Sequence, residues 1–235
     1  MYKNLLFVTL CISIFSQFSC ATIAPKDFDG FAKKFVADYR QLLPDEGPLS
    51  MDNDLLSRLA IPTPSYLDSV RDFHRRYSEE LRQFDRSVLS PSDVKGAIKV
   101  DNILKNIGAF VVDYQVNPQR YNVLHGFQRI LNADYASDEY RREVLQAKCR
   151  QVPLFYEAAK QQLQNVNRAA ADAAVEQHAA TFRFFDKELA AFFAQNAYAT
   201  PAREGTTNGQ YATDIEAAKM AIKDYVAFVE SFRLN

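Results

Sequence analysis

Histidine, cysteine and paired carboxylates bind metals, attack carbonyls or move protons near neutral pH, and their spacing decides whether they act together. On a helix, two ligands share a face only three or four residues apart. The three histidines do not meet that condition. His74 has Val70, Arg71, Tyr77 and Ser78 at those offsets, and His125 has Tyr121, Asn122, Gln128 and Arg129. His178 has Ala174, Val175, Thr181 and Phe182. Only a site assembled from distant helices would bring ligands together. His74 and His178 fall on apolar stripes and read as hydrogen-bonded core histidines, whereas His125 reads as surface or interhelical.

Cys149 stands between Lys148 and Arg150, cations that lower a thiol pKa, but no histidine or acid lies within four residues to complete a local dyad. It reads as a half-buried structural cysteine. The carboxylate pairs Glu79-Glu80 and Asp138-Glu139 fall on polar faces or at helix starts, where the helix dipole favours them. Arg75-Arg76 and Arg141-Arg142 are too short for a nucleic-acid surface and read as solvated. Tyr135, Tyr198 and Tyr211 sit in or beside loops, where a tyrosine lines a binding surface or is simply half-buried. The residues therefore predict no catalytic set, no metal ligands and no cofactor.

The elements that must position these side chains are helices. Phe28, Phe31, Phe35, Tyr39 and Leu42 recur at helical spacing, and Pro44-Asp45-Glu46-Gly47-Pro48 stops that run. Thr63-Pro64 and Ser90-Pro91 open two more helices. The first carries the stripe Leu67, Val70, His74, Tyr77, Leu81 and Phe84. The end of the second, Phe110 to Val116, is rich in β-branched residues, but no other segment could pair with it as a strand, so it is read as helix. Asn117-Pro118 restarts the chain, Ser137 caps a helix to about Arg150, and Pro153 begins the next. Arg168 to Gln195 is one alanine-rich helix, residues 199–213 are the clearest loop, and Thr213-Asp214-Ile215-Glu216 is a capping box for a final helix. The expected fold is all-α, an antiparallel multi-helix bundle.

Composition agrees. The chain has 235 residues, of which 48% are hydrophobic and 24% charged, enough to build a core. A net charge of −1 argues against a broad phosphate-binding surface, so no nucleic-acid partner is expected. The seven glycines form none of GxGxxG, GxxxxGK or GxSxG, which excludes the standard nucleotide loops and the nucleophile elbow.

The amino terminus is an export signal. Met1-Tyr2-Lys3 precedes an apolar run from Leu5 to Phe15 that is too short to span a bilayer, which takes about 20 residues. Ser19-Cys20 supplies the small residue before cysteine that lipoprotein processing requires, although Gln17 stands where leucine is usual. Cleavage after Ala21, or retention as an uncleaved anchor, are the competing readings. The favoured organisation is a signal peptide over 1–19 and one helical domain over 20–235, held at a membrane of the cell envelope by lipid on Cys20.

One set of segments resembles a known family. Asn117-Pro118-Gln119-Arg120-Tyr121-Asn122, Asp134-Tyr135-Ala136-Ser137, and Val152-Pro153-Leu154-Phe155-Tyr156-Glu157-Ala158-Ala159-Lys160 carry the likeness. Ala174-Val175-Glu176-Gln177-His178 and the closing helix with Tyr225 extend it. They resemble the helical N-terminal half of a bacterial domain-of-unknown-function family of exported, lipoprotein-like proteins related to zinc metallopeptidases. In full-length relatives a second half carrying a His-Glu zinc motif follows, and no position here matches that family's catalytic or metal residues. The resemblance therefore implies the helical fold without autonomous peptidase activity. Two functions are expected from different classes: a non-catalytic exported binding or scaffold domain, or the N-terminal half of a split or truncated zinc metallopeptidase that needs a separate catalytic half as its protein partner.

Overall fold

The computed structural model describes residues 27–46, 53–134, 136–196 and 208–233. Cys20, the signal segment, Tyr135 and Tyr198 lie outside the described residues. The described elements are α1 (Phe28–Leu42), α2 (Asn53–Leu56), α3 (Pro64–Arg82), α4 (Pro91–Asp113), α5 (Leu124–Leu131), α6 (Asp138–Cys149), α7 (Val152–Gln162), α8 (Arg168–Arg183), α9 (Ala190–Asn196) and α10 (Asn208–Ser231). A single 3₁₀ turn, Pro118–Arg120, precedes α5. The fold is all-α, as the sequence predicts.

Caps set the helix starts. The hydroxyl of Thr63 accepts the Tyr66 N–H at 3.2 Å, that of Ser90 the Asp93 N–H at 3.2 Å, and that of Ser137 the Tyr140 N–H at 3.2 Å. The Asn167 side-chain oxygen accepts the Ala170 N–H at 2.9 Å. Each satisfies an amide that the first helical turn leaves without a partner.

The core forms two apolar clusters. The first is built by α1, α3 and α4, with Phe35, Tyr77, Val70 and Leu104 at its centre. Its rings pack edge to face, Phe35 against Tyr77 at 5.1 Å. The second takes in α5 to α10, around Phe127, Leu145, Tyr156, Phe185, Ile222 and Tyr225. Tyr66 and Phe110 pack against both.

The structure corrects several expectations. His74 is only half-buried, and Phe73 takes the core position, packed into the cluster that α3 forms with α1 and α4. The His74 ring lies over Gly108 of α4, where a Cβ would approach its Nε2 to 2.8 Å. The helix α10 begins at Asn208 inside the expected loop, so Thr213-Asp214-Ile215-Glu216 is helix interior and not a cap. Asp214 instead accepts Gln146 Nε2 and Arg150 Nε, each at 3.0 Å, and clamps α10 to α6. Arg141 and Arg142 are not solvated: Arg142 is buried with its guanidinium 5.9 Å from the Tyr211 ring, and Arg141 lies over Phe192. Cys149 is wholly rather than half buried, and that burial pushes its thiol pKa up. The helix from Arg168 is continuous to Asn196, but Phe184–Leu189 widens into a π turn that brings Phe184, Phe185 and Leu189 all into the core.

Candidate binding cleft

Between the two clusters lies a cleft of about 370 Å³. Helices α1, α3 and α4 supply Tyr39, Tyr66, Val70, Ile103, Ile107 and Phe110, and the second unit supplies Arg120, Tyr121, Asn122 and Phe155. The link from α1 to α3 forms its remaining wall through Leu43, Asp45, Glu46, Ala60 and Pro62. Its size falls within the usual range of small-molecule sites, ~300–1,000 Å³, and its lining is the usual mixture of apolar surface with a few polar groups.

That wall is fixed by two side chains from the α6–α7 corner. Lys148 is completely buried; its Nζ donates to Asp45 Oδ1 and to the Arg58 carbonyl, both at 2.7 Å. Burial pulls the pKa of its ammonium below the ordinary 10.5, and the Asp45 charge opposes the shift. Gln151 donates to the Ser57 carbonyl at 2.6 Å and accepts the Leu59 N–H at 3.0 Å. Arg129 donates to the backbone carbonyl of Asp45. The Asp45 carboxylate lies on Gly126, where a Cβ would meet its Cγ at 2.5 Å, so only glycine leaves it room.

The floor is equally constrained. Tyr121 donates its hydroxyl to the Tyr114 carbonyl at 2.8 Å, and Tyr225 donates to the Pro118 carbonyl at 2.9 Å. His178 lies beneath, its Nδ1 2.8 Å from the Ala174 carbonyl oxygen and its Nε2 2.8 Å from that of Tyr121. The rings of Tyr156 and Tyr225 flank it at 5.7 and 4.9 Å. Burial draws its pKa below the ordinary 6.5, against the two carbonyls that favour a protonated ring. Arg120 is spent on Asp113, through Nε at 2.8 Å and Nη2 at 3.0 Å.

Two hydroxyls in the cleft remain uncommitted. Tyr39 is 9% exposed, and neither its hydroxyl nor that of Tyr66 makes a hydrogen bond among the described residues. Burial first, and the nearby Glu46 carboxylate second, push the Tyr39 hydroxyl up to about 12, with Arg129 acting the other way. Tyr66 is raised by burial and by Asp45, Glu46 and Tyr39 in turn. Glu46 is exposed at the cleft mouth and forms no ion pair among the described residues.

None of these cleft residues stood out as functional in the sequence. Tyr211, which did, is half-buried within α10, with its ring 5.3 Å from that of Phe193. The histidines stay apart in role: His178 is core, His74 packs on α4, and His125 is exposed. Among the described residues no three His, Cys, Asp or Glu side chains are grouped to hold a metal ion, and no helix is long and apolar enough to cross a membrane.

The geometry defines an all-helical protein with a polar-lipped apolar cleft at the junction of two packed units. The chain belongs to DUF885, a bacterial protein family of unknown function, whose pattern matches residues 49–234. Among solved structures it is similar to a candidate lipoprotein of unknown function from Shewanella oneidensis. The TM-score is 0.70, with 22% identity and 87% of this chain covered. The chain spans 37% of the length of that structure. At this identity the likeness is one of fold. Comparison with curated proteins gives no match.

Proposed function

We propose that the protein is a non-catalytic, exported binding module of the bacterial cell envelope, tethered by lipid on Cys20, with the inter-unit cleft as its ligand site. The observation that carries the reading is the cleft itself, a largely apolar cavity with two phenol hydroxyls that make no hydrogen bond among the described residues, its wall fixed by a buried lysine and a glutamine. The lipid tether is supported by Ser19-Cys20 and by the description of the Shewanella structure as a lipoprotein candidate.

The test uses the chain without its signal, ¹⁵N-labelled and titrated with a library of small amphiphiles. Amide shifts should gather on α1, α3, α4 and the α1–α3 link, and disappear in Ala60→Trp, which fills the cavity. Shifts scattered over the outer faces, or unchanged by that substitution, would refute the cleft as the site. For the tether, radiolabelled palmitate should enter the wild-type chain in cells and not Cys20→Ala, which should leave the membrane fraction.

A second reading is favoured by the fraction of the Shewanella structure that this chain matches, 37%. In it the helical unit works beside a further half that supplies the zinc-peptidase chemistry implied by the family resemblance. Mixing the chain with the remaining half of a full-length relative should then produce zinc-dependent peptide hydrolysis that neither part shows alone. Absence of both complex formation and hydrolysis would remove this reading.

A further inference from the structure

The charged groups around the cleft differ in how far they are already used. Each nearby cation is engaged: Arg120 in a two-point contact with Asp113, Lys148 with Asp45 and the Arg58 carbonyl, and Arg129 with the Asp45 carbonyl. The Asp45 carboxylate is in turn compensated by Lys148. Glu46 alone among the charged lining residues has no ion pair among the described residues. Beside it stand two phenols whose oxygens make no hydrogen bond among the described residues, those of Tyr39, a residue nine-tenths buried, and Tyr66. A phenol oxygen accepts a hydrogen bond, an aromatic face attracts a cation, and a free carboxylate at the rim completes the complement for a positive head group. On the α4 side of the cavity Ile103, Ile107 and Phe110 add apolar surface, beside the amide of Asn106.

We propose that the cleft takes a ligand with an apolar body ending in an ammonium or guanidinium group, with the head against Glu46, Tyr39 and Tyr66 and the body against Ile103, Ile107 and Phe110. This inference rests on the cleft being the ligand site. An anionic head would face the Glu46 carboxylate, and a neutral head would leave that carboxylate unused. The cationic group could belong to a free amine or to a lysine or arginine side chain among apolar residues of a peptide; the chemistry at the cleft is the same.

The experiment measures binding of n-octylammonium, n-octanol and n-octanoate to the signal-free chain by calorimetry. It adds a peptide arm, a capped pentapeptide of four leucines around a central lysine and its norleucine counterpart. The octylammonium ion should bind about tenfold or more tightly than octanol, as expected of a charge-assisted contact, and octanoate weakest of the three. Glu46→Gln should abolish that preference, and Tyr39→Phe should reduce it. Glu46 is exposed and has no ion pair among the described residues, so its substitution leaves the fold intact. Octylammonium binding with no peptide binding assigns a free amine; a lysine peptide bound in preference to its norleucine counterpart assigns a side chain. Equal binding of the three octyl compounds, or a preference that survives Glu46→Gln, would overturn the cationic assignment while leaving the cleft as a site. No binding of any probe would overturn both.

Discussion

Lys148 illustrates how much a single buried charge can determine. It has no solvent contact, and among the described residues its compensation is Asp45 and the Arg58 carbonyl. Truncating it leaves the Asp45 carboxylate, three-quarters buried, without its cation. Lys148→Met should therefore lower stability by about 3 kcal/mol, read as a fall in the denaturant midpoint at constant slope. The double variant Lys148→Met/Asp45→Asn should recover part of that loss, because the stranded charge is gone. His178 gives a pH signature. Its folded pKa lies below 6.5, so the unfolded chain binds the extra proton once the pH falls under 6.5. Stability is full above 6.5 and declines below it, by at most about 1.4 kcal/mol per pH unit from this residue. Urea titrations at pH 7.5 and 5.5 should show the fall, and a smaller one in His178→Gln. Tyr39 acts at the opposite end. Its pKa is raised from 10 to about 12, so its contribution is intact below 10 and is lost as the pH climbs through 12. Ultraviolet titration should find one fewer late-ionising phenol in Tyr39→Phe.

At the level of elements, capping and close approach set the architecture. Ser137 begins α6, the helix that carries Lys148, and Ser137→Ala should cost about 1 kcal/mol by leaving the Tyr140 amide without its acceptor. Gly126 of α5 decides whether the link from α1 can come down onto the second unit. A methyl group there meets an Asp45 side chain that Lys148 already holds, so it cannot simply swing away. Gly126→Ala should destabilise by about 1–3 kcal/mol and loosen the cleft wall, seen as faster amide exchange at Leu59, whose N–H is held by Gln151. These are also the places where sequence patterning loses resolution. The stripe on α1 was legible because one face is apolar throughout. On α3 the adjacent Phe73 and His74 both fit a helical stripe, and only packing against α1 and α4 chooses the phenylalanine. In α10, Thr213 to Glu216 has the composition of a cap, yet the helix starts earlier and uses Asp214 to hold α6.

At the scale of the whole molecule, two apolar clusters meet through Tyr66 and Phe110, with the cleft between them. Helix α10 packs along α7 and α8 and buries Ile222, Tyr225 and Val229. Native-state hydrogen exchange should accordingly be slowest in α7, α8 and α10 and faster in α1, which covers only the smaller cluster. The helical class and most helix starts follow from the sequence alone, because periodicity and caps are local properties that survive without knowledge of neighbours. The cleft does not. Tyr39, Glu46, Tyr66 and Phe110 are ordinary residues on ordinary helices or turns, separated by up to tens of positions. Likewise Lys148 figures in the sequence only as a cation beside Cys149, and its burial appears once Asp45 and the Arg58 carbonyl close over it. Which polar groups are left without partners, and which charge is buried, depends on contacts between distant segments. Only the tertiary structure decides those, since desolvation and hydrogen-bond satisfaction are set by what packs against a side chain, not by what precedes it in the chain.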